Sequence, residues 1–329
     1  MTPHDEPALG RGSLGDFTQA IKAEARRIGF LAVGITLPEA LNSRSRDLAR
    51  WIKKGYSGSL GYMEAFFERQ SDFLSRIPDL KSIIVVAASC GRPEKNKMPK
   101  KGAGRIARYA WGRDYHQVVQ KRLERLESEG SFVFLAALLT NLDLIPDAPI
   151  QWDCGACTLC LQACPTQALV RPYELDARRC ISTLTIESKD KEIAPKRRPL
   201  IGEWAFGCDI CQEVCPYNRS SDGGPSAWEE FQPEQGVGQS LSLSDILMCR
   251  SEDVFLQRFA GTPLMRIKRV GLLRNAAIVA GNLADPRLVP SLTAALKEDL
   301  SPVVRGHAAW ALRQIAKNSR ALFRNIPPA

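Results

Sequence analysis

The sequence predicts an α+β protein in three parts, and three observations lead to this prediction. Strands and helices alternate in the first 150 residues, cysteines crowd the middle of the chain, and the last part carries an alanine-rich helical repeat. We expect an α/β domain over 1–150, a small cysteine-rich domain over 151–220, and a linker with a helical domain over 221–329. A chain of 329 residues is long enough for several cores of this size.

The alternation in the first part rests on four segments. "FTQAIKAEARRIGF" (17–30) has the apolar spacing of a helix and runs into a short strand, "LAVGIT" (31–36). "KSIIVVAAS" (81–89) is β-branched and apolar, as in a buried strand. A second helix is predicted around Val118 and Val119, while "SFVFLAALL" (131–139) fits a strand or a helix. Such alternation indicates an α/β or α+β domain.

The first cysteine set has the spacing C-x2-C-x2-C-x3-C-P. It consists of Cys154, Cys157, Cys160 and Cys164, followed by Pro165. Zinc ribbons use separated C-x2-C pairs, whereas here three thiolates come from one tight loop and the fourth is displaced beyond it. This spacing is typical of an iron–sulfur cluster loop whose last cysteine serves a neighbouring cluster. Zinc is the alternative.

The second cysteine set repeats the end of this pattern, with its first member far upstream. It consists of Cys180, Cys208, Cys211 and Cys215. Crossing the ligands as in two-cluster ferredoxins predicts a ferredoxin-like domain with two [4Fe–4S] clusters. Cluster one then takes Cys154, Cys157, Cys160 and Cys215, and cluster two takes Cys164, Cys180, Cys208 and Cys211. Cys90 and Cys249 are predicted to be buried apolar side chains.

The C-terminal part is basic and weakly repetitive. From Arg258 to Ala329 there are 12 Lys and Arg residues against three acidic ones, which equals the whole net charge of +9. "LLRNAAIVAGNLADP" (272–286) and "VVRGHAAWALRQIAK" (303–317) align with small alanines in register, which predicts a short HEAT-like array of helices. A basic array of this kind favours an acidic partner such as nucleic acid, and the alternative is a solvated surface.

Four motifs resemble the epoxyqueuosine reductase family along nearly the whole chain. They are "RYAWGRDYH" (108–116), "PYELDARRCISTLTIE" (172–187), "GEWAFGCDICQEVCPYN" (202–218) and "LLRNAAIVAGN" (272–282). The resemblance implies that 1–150 is a cobalamin-binding catalytic domain and that cobalamin lies beside cluster two. It also implies reduction of epoxyqueuosine to queuosine in the tRNA anticodon loop, with electrons from a low-potential donor. A corrinoid cobalt can collect single electrons and act as a nucleophile.

Site residues follow from the resemblance and from the charge pattern. By resemblance, Arg69, Arg179 and Asp209 are expected beside the corrin, although Asp209 could instead cap a turn and Arg179 could be a surface charge. Because charges cluster just before the repeat, RNA phosphate contacts are predicted for Arg266, Lys268 and Arg269. His116 and His307 are expected to be structural.

The family pattern is interrupted between Glu127 and Gly130. Members of the family carry there a segment with an aspartate taken as the proton donor and a loop against the cobalamin. Three explanations stay open: a genuine deletion that leaves a non-catalytic protein, a segment lost from the sequence, or replacement of the acid, with Asp114 as the nearest candidate. The alternative functions are an electron-transfer and RNA-binding protein without corrin chemistry, and a reductive dehalogenase-like corrinoid enzyme.

The chain is expected to be a cytoplasmic monomer without a membrane partner. Its N-terminus, "MTPHDEPALGRGSLGDF", has no apolar core of a signal peptide. The longest apolar run, "FVFLAALL" (132–139), is too short to cross a bilayer.

Overall fold

The computed structural model describes residues 13–40, 45–75, 77–90, 100–123, 133–149, 154–188, 192–218 and 228–324. The helices of these ranges are α1 (Leu14–Ile28), α2 (Ser45–Lys53), α3 (Gly61–Ser75), α4 (Tyr115–Leu123), α5 (Leu159–Ala163), α6 (Ile181–Ile186), α7 (Ile210–Glu213), α8 (Leu243–Leu247), α9 (Glu252–Phe259), α10 (Lys268–Leu283), α11 (Val289–Glu298) and α12 (Pro302–Arg324). The strands are β1 (Ala32–Thr36), β2 (Ser82–Ser89), β3 (Ala103–Ile106), β4 (Val133–Thr140), β5 (Leu169–Arg171), β6 (Glu174–Leu175), β7 (Trp204–Phe206) and β8 (Ser240–Ser242). Among the described helices, none has the length and apolarity needed to cross a membrane.

The first sheet has the order β1-β2-β4, and both of its neighbouring pairs are antiparallel. The described N-terminal part is therefore α+β, and the expected α/β arrangement is wrong for this sheet. Alternation of strands and helices did not reveal this because a helical connection can return the chain in either direction. The described part of the ambiguous segment, from Val133 onward, forms β4, which pairs with β2 over its whole length.

The second sheet joins all three predicted parts of the chain. β3 pairs with β7 in parallel and with β8 in antiparallel orientation. Gly104 in β3 permits this close packing, since a Cβ there would lie 2.7 Å from the Cβ of Ala205 and 2.9 Å from a methyl of Leu243. One hydrophobic core continues from this sheet into the C-terminal helices, including Phe206, Ile246 and Leu273. The cysteine-rich segment thus pairs with the N-terminal part through β3 and packs against the C-terminal helices through the shared core.

The C-terminal helices pack through small residues, as the repeat predicts. The aligned alanines Ala277, Ala280, Ala308 and Ala311 are all fully buried. At Gly281 in α10 a Cβ would lie 2.5 Å from the Trp310 ring and 2.9 Å from the Cα of Ala311 in α12. Small side chains therefore set the approach of α10 and α12. The description of this module as HEAT-like stays a prediction.

Candidate redox centre and RNA interface

Short helices and turns of the cysteine-rich segment present the eight predicted ligands. All of them are free thiols. Cys154 and Cys157 are exposed on the loop before α5, and the others are partly exposed. Cys164 ends α5, Cys180 precedes α6, and Cys208, Cys211 and Cys215 surround α7. Helices α5 and α7 contact each other, so the two cysteine sets lie side by side.

The second cysteine set shares one electrostatic environment. The pKa of the Cys211 thiol is raised to about 11, mainly by burial and further by the charges of Cys180 and Cys164. Burial also raises the pKa of Cys208, with Cys211 and Cys180 adding to the rise. Cys160 of the first set also raises the pKa of Cys211, which is expected for two neighbouring cluster sites. Thiols with raised pKa values become thiolates at neutral pH only beside compensating positive charge, which bound iron would supply.

Local hydrogen bonds lower the pKa of the Cys164 thiol, which favours the thiolate that a metal ligand requires. Burial alone would raise the pKa of its thiol, but hydrogen bonds from the Thr166 hydroxyl and the Ala168 N–H hold it below the ordinary value. In the described part of the chain, no three His, Cys, Asp or Glu side chains converge on a position for a single metal ion. The pairing of particular cysteines with particular clusters therefore rests on spacing and mutual electrostatics, and it stays a proposal.

Asp209 lies beside the second cysteine set and reaches back to the motif "RYAWGRDYH". Its carboxylate accepts a hydrogen bond of 2.7 Å from the Arg108 N–H and does not cap its own helix. Asp209 is 7% exposed, and burial raises the pKa of its carboxyl to about 6 against the hydrogen bond and charge of Arg108. Two motifs 101 residues apart thus meet at one carboxylate.

The two arginines predicted beside the corrin have other contacts here. Arg179 donates from Nε to the Thr166 carbonyl at 3.0 Å, so it braces the loop that follows Cys164. Arg69 is exposed on α3 and donates from Nε to the Ala65 carbonyl of its own helix. No contact among the described residues joins Arg69 to Arg179 or Asp209. Their roles toward a corrin stay predictions.

Asp114 caps the first turn of α4. Its carboxylate accepts from the His116 N–H at 3.0 Å and contacts His116 Nδ1 at 2.8 Å. The next residue, Tyr115, stacks on Phe134 of β4 with ring centroids 4.4 Å apart. This position gives Asp114 and His116 a structural role at the helix start, and the proposed acid function of Asp114 stays untested. His307 is packed as predicted, since it is fully buried and accepts from the Ile193 N–H.

Of the three predicted RNA contacts, two are exposed. Arg266 lies across the Tyr62 ring at 5.8 Å and forms a bidentate ion pair with Glu187 at 3.1 and 3.2 Å. Lys268 is exposed at the start of α10 with a left-handed backbone, φ 62°. These two cations can meet a phosphate, and at Arg266 the phosphate competes with Glu187.

The prediction for Arg269 is wrong. Its side chain is 6% exposed, and its guanidinium donates to the Asp299 carboxylate at 2.8 and 3.2 Å and to the Cys249 carbonyl at 3.0 Å. Asp299 in turn accepts from the Ser301 N–H before α12. Arg269 therefore ties α10 to the turn between α11 and α12, and it is too enclosed to reach RNA.

Replacing Arg269 with methionine is expected to destabilise the helical module strongly. The variant leaves the Asp299 charge buried without its ion-pair partner, which costs about 3–5 kcal/mol. The double variant Arg269→Met/Asp299→Asn removes the charge, keeps an acceptor for Ser301, and should recover more than half of the loss. Urea unfolding followed by circular dichroism measures both. Equal destabilisation in the single and double variants would contradict this account.

Sequence reasoning missed the residues that clamp the helical module to the cysteine-rich segment. Arg274 is fully buried and donates to the carbonyls of Leu184 and Ser188. Asn275 donates to the carbonyls of Thr185 and Ala205 at 2.8 and 2.9 Å. A polar pair inside the apolar run "LLRNAAIVAG" was the available signal, because buried polar groups need partners from another element.

Comparisons with known proteins agree with this arrangement. The sequence matches the family described as "4Fe-4S double cluster binding domain" over residues 153–218. It also matches "Epoxyqueuosine reductase QueG, DUF1730" over residues 71–131. The epoxyqueuosine reductase of Pseudomonas aeruginosa is 35% identical, with 90% of this chain and 94% of the relative covered. The chain belongs to the epoxyqueuosine reductase family.

Other epoxyqueuosine reductases agree in sequence and in fold. The Escherichia coli enzyme is 31% identical, with 92% of this chain and 90% of the relative covered. A Bacillus subtilis structure, in which a catalytic aspartate loop is swung out of the active site, matches with a TM-score of 0.79 at 28% identity and 95% coverage of both chains. A structure with a tRNA-Tyr epoxyqueuosine-modified stem loop matches with a TM-score of 0.79 at 27% identity and 95% coverage of both chains. Family membership sets aside the dehalogenase-like alternative.

The Pseudomonas aeruginosa relative contains residues that have no counterpart in this chain. The alignment with the Pseudomonas aeruginosa enzyme extends over 349 positions, more than the 329 residues of this chain, although it covers only 90% of it. The segment predicted to be missing falls between Glu127 and Gly130, which lie outside the described residues.

Proposed function

We propose that this chain has the electron path and the RNA surface of an enzyme that reduces epoxyqueuosine to queuosine in the tRNA anticodon loop, with electrons delivered through two [4Fe–4S] clusters and cobalamin. Its own turnover is low because the family pattern is interrupted between Glu127 and Gly130. The observation that carries the proposal is that α6 connects a predicted cluster ligand to the ion pair of an exposed cation; we call this the α6 junction. This helix begins directly after Cys180 and is followed by Glu187, the partner of Arg266. At 1.5 Å per residue the predicted cluster ligand Cys180 and Glu187 are about 10 Å apart along the helix, and Arg266 contacts Glu187 from the neighbouring segment. The buried clamp of Arg274 and Asn275 fixes this geometry.

The residues near the junction fit the edge of a corrin. Corrin side chains end in amides, which both donate and accept hydrogen bonds. Arg179 is partly exposed and would supply a donor to these amides, whereas Asp209 is 7% exposed and its carboxylate already accepts from the Arg108 N–H. When bound, cobalamin would supply a cobalt centre that collects single electrons and acts as a nucleophile. The chain's own tasks are then to hold the RNA and to hold the clusters that pass electrons.

Cofactor analysis tests the proposal against its alternative. After anaerobic reconstitution we expect about eight irons and matching sulfide per chain, from two cubes of four. Retained cobalt supports the reductase, whereas full clusters without cobalt favour an electron-transfer and RNA-binding protein. A colourless protein with zinc would overturn the cluster assignment itself.

The variant Arg266→Ala/Lys268→Ala is expected to bind tRNA more weakly and with a flatter salt dependence. Each lost phosphate contact lowers the slope of log affinity against log salt by about 0.7–0.9. The control Arg26→Ala/Arg27→Ala removes the same charge from exposed positions on α1. Filter binding over a range of salt concentrations gives the slopes. An unchanged slope in the first variant would make this basic surface a solvated one.

A further inference from the structure

A cavity of about 470 Å³ lies where α2 and the start of α3 face the β5–β6 hairpin. Arg50, Trp51 and Lys54 line it from one side, and Arg171, Tyr173 and Glu174 line it from the other. Trp51 donates from Nε1 to the Leu175 carbonyl at 2.6 Å, and Lys54 and Arg171 both pair with Glu174. We call this surface, together with Tyr173 and the loop of Cys154, the hairpin face.

Tyr173 is an unusual residue at the tip of the hairpin. Its side chain is 78% exposed, and its backbone is left-handed, with φ 62° after Pro172. Turns of this shape favour glycine or asparagine at this position, and a bulky residue there is strained. A strained aromatic residue in full contact with solvent does not serve the core. Its exposure leaves the ring available for a contact at the surface.

Tyr173 connects the hairpin face to the first cysteine set. Its hydroxyl accepts a hydrogen bond of 2.9 Å from the Cys154 N–H. Cys154 and Cys157 are exposed, whereas Cys208 and Cys211 of the second set are only partly exposed. Because electron transfer slows steeply with distance, a protein donor reaches the exposed set more readily. Electrons from outside therefore enter on the side of Tyr173.

The charge of the hairpin face indicates the kind of donor. Three basic side chains line the cavity, Arg50, Lys54 and Arg171, against the two acidic side chains of Asp47 and Glu174. Arg46 and Lys53 add two exposed basic side chains on α2, outside the lining. Surfaces of one sign steer partners of the opposite sign and raise association rates. Transient redox complexes use small interfaces, for which one aromatic residue with a charged rim is sufficient.

We propose that the hairpin face docks an acidic one-electron carrier protein, which reduces the cluster held by Cys154, Cys157, Cys160 and Cys215. The inference rests on the proposed function, since it uses that cluster assignment. It adds the site of electron entry and the charge of the partner. The same carrier passes one electron per encounter and leaves oxidised, so two encounters supply one reduction.

The test uses the reconstituted protein with the charge-reversal variant Arg50→Glu/Lys53→Glu. The probe is an acidic flavodoxin reduced beforehand to its hydroquinone, and stopped-flow absorbance follows bleaching of the clusters under anaerobic conditions. At low salt we expect the rate constant to fall by about tenfold or more, with a weaker dependence on salt. The control Arg26→Glu/Arg27→Glu places the same charge change on α1 and should leave the rate unchanged.

Reduction by dithionite separates this inference from the proposed function. Dithionite needs no docking, so it should bleach the clusters of both variants at the rate seen in the unaltered chain. Failure to form queuosine with dithionite would concern the proposed function alone. An unchanged rate with flavodoxin would overturn the docking site. A fall in tRNA affinity with an unchanged flavodoxin rate would also overturn it and make the face an RNA surface.

The variant Tyr173→Asn tests the strained residue separately. Asparagine accepts the left-handed backbone, so the melting temperature should not fall, while reduction by flavodoxin slows and reduction by dithionite does not. Tyr173→Phe keeps the ring and should retain most of the flavodoxin rate. A lower melting temperature with equal slowing by both reductants would show that Tyr173 is only structural and exclude it from the docking face.

Discussion

Replacing Cys208 with alanine is expected to halve the iron content, from about eight to about four per chain, and to reduce queuosine formation to background in a chain that carries the relatives' segment between Glu127 and Gly130. Cys208 belongs to the second cysteine set, where burial and the charges of Cys211 and Cys180 raise the pKa of its thiol. Loss of this ligand should prevent the second cluster from forming. Electrons from the first cluster, which includes Cys154, then cannot pass onward. Iron and sulfide analysis after anaerobic reconstitution measures the first effect, and nucleoside mass spectrometry measures the second.

Cys249→Ala provides the matched control. Cys249 is 1% exposed and lies outside the cysteine-rich segment, where its thiol donates to the Asp245 carbonyl. This variant loses a buried thiol but should keep both clusters. Cys154→Ala should instead lose the exposed cluster. Full iron content in Cys208→Ala, or equal iron loss in Cys249→Ala, would contradict the ligand assignment.

The local parts of the site were predictable from the sequence. A cluster loop needs its thiolates within a few residues, so the spacing of Cys154, Cys157 and Cys160 carries the chemistry by itself. The buried strand over 82–89 was predictable for the same reason, since its apolar run is continuous. The strand direction was not, because nothing within β1 or β2 records which way the chain returns.

Contacts between distant segments account for what the sequence did not reveal. Lys268 and Arg269 are neighbours of equal charge, yet one faces solvent and the other is enclosed by Asp299, 30 residues away. Asp209 was expected beside the second cluster, but its bond to the Arg108 N–H spans 101 residues. The partners of Arg269 and Asp209 come from distant segments of the assembled core. The charge pattern of the sequence therefore could not show that Arg269 is enclosed.

Inserting the relatives' segment between Glu127 and Gly130 is expected to raise turnover by about 100-fold or more, because a positioned general acid contributes 10²–10⁴-fold. Opening the epoxide requires a proton as the C–O bond breaks. The chain as it stands retains the cysteines, the exposed cations and the clamp of Arg274, so electrons and RNA should still arrive. We therefore expect it to form queuosine slowly or not at all with cobalamin and dithionite.

Two comparisons separate the acid from the rest of the segment. An insertion whose aspartate is replaced by asparagine should retain cobalamin as well as the full insertion does, yet give little turnover. Robust queuosine formation by the unaltered chain would instead sink the deletion argument and turn attention to Asp114. Asp114→Asn would then have to abolish activity while the helix cap survives, because asparagine still accepts from the His116 N–H. If both activity and α4 stability fell together, Asp114 would be only the cap that the structure shows.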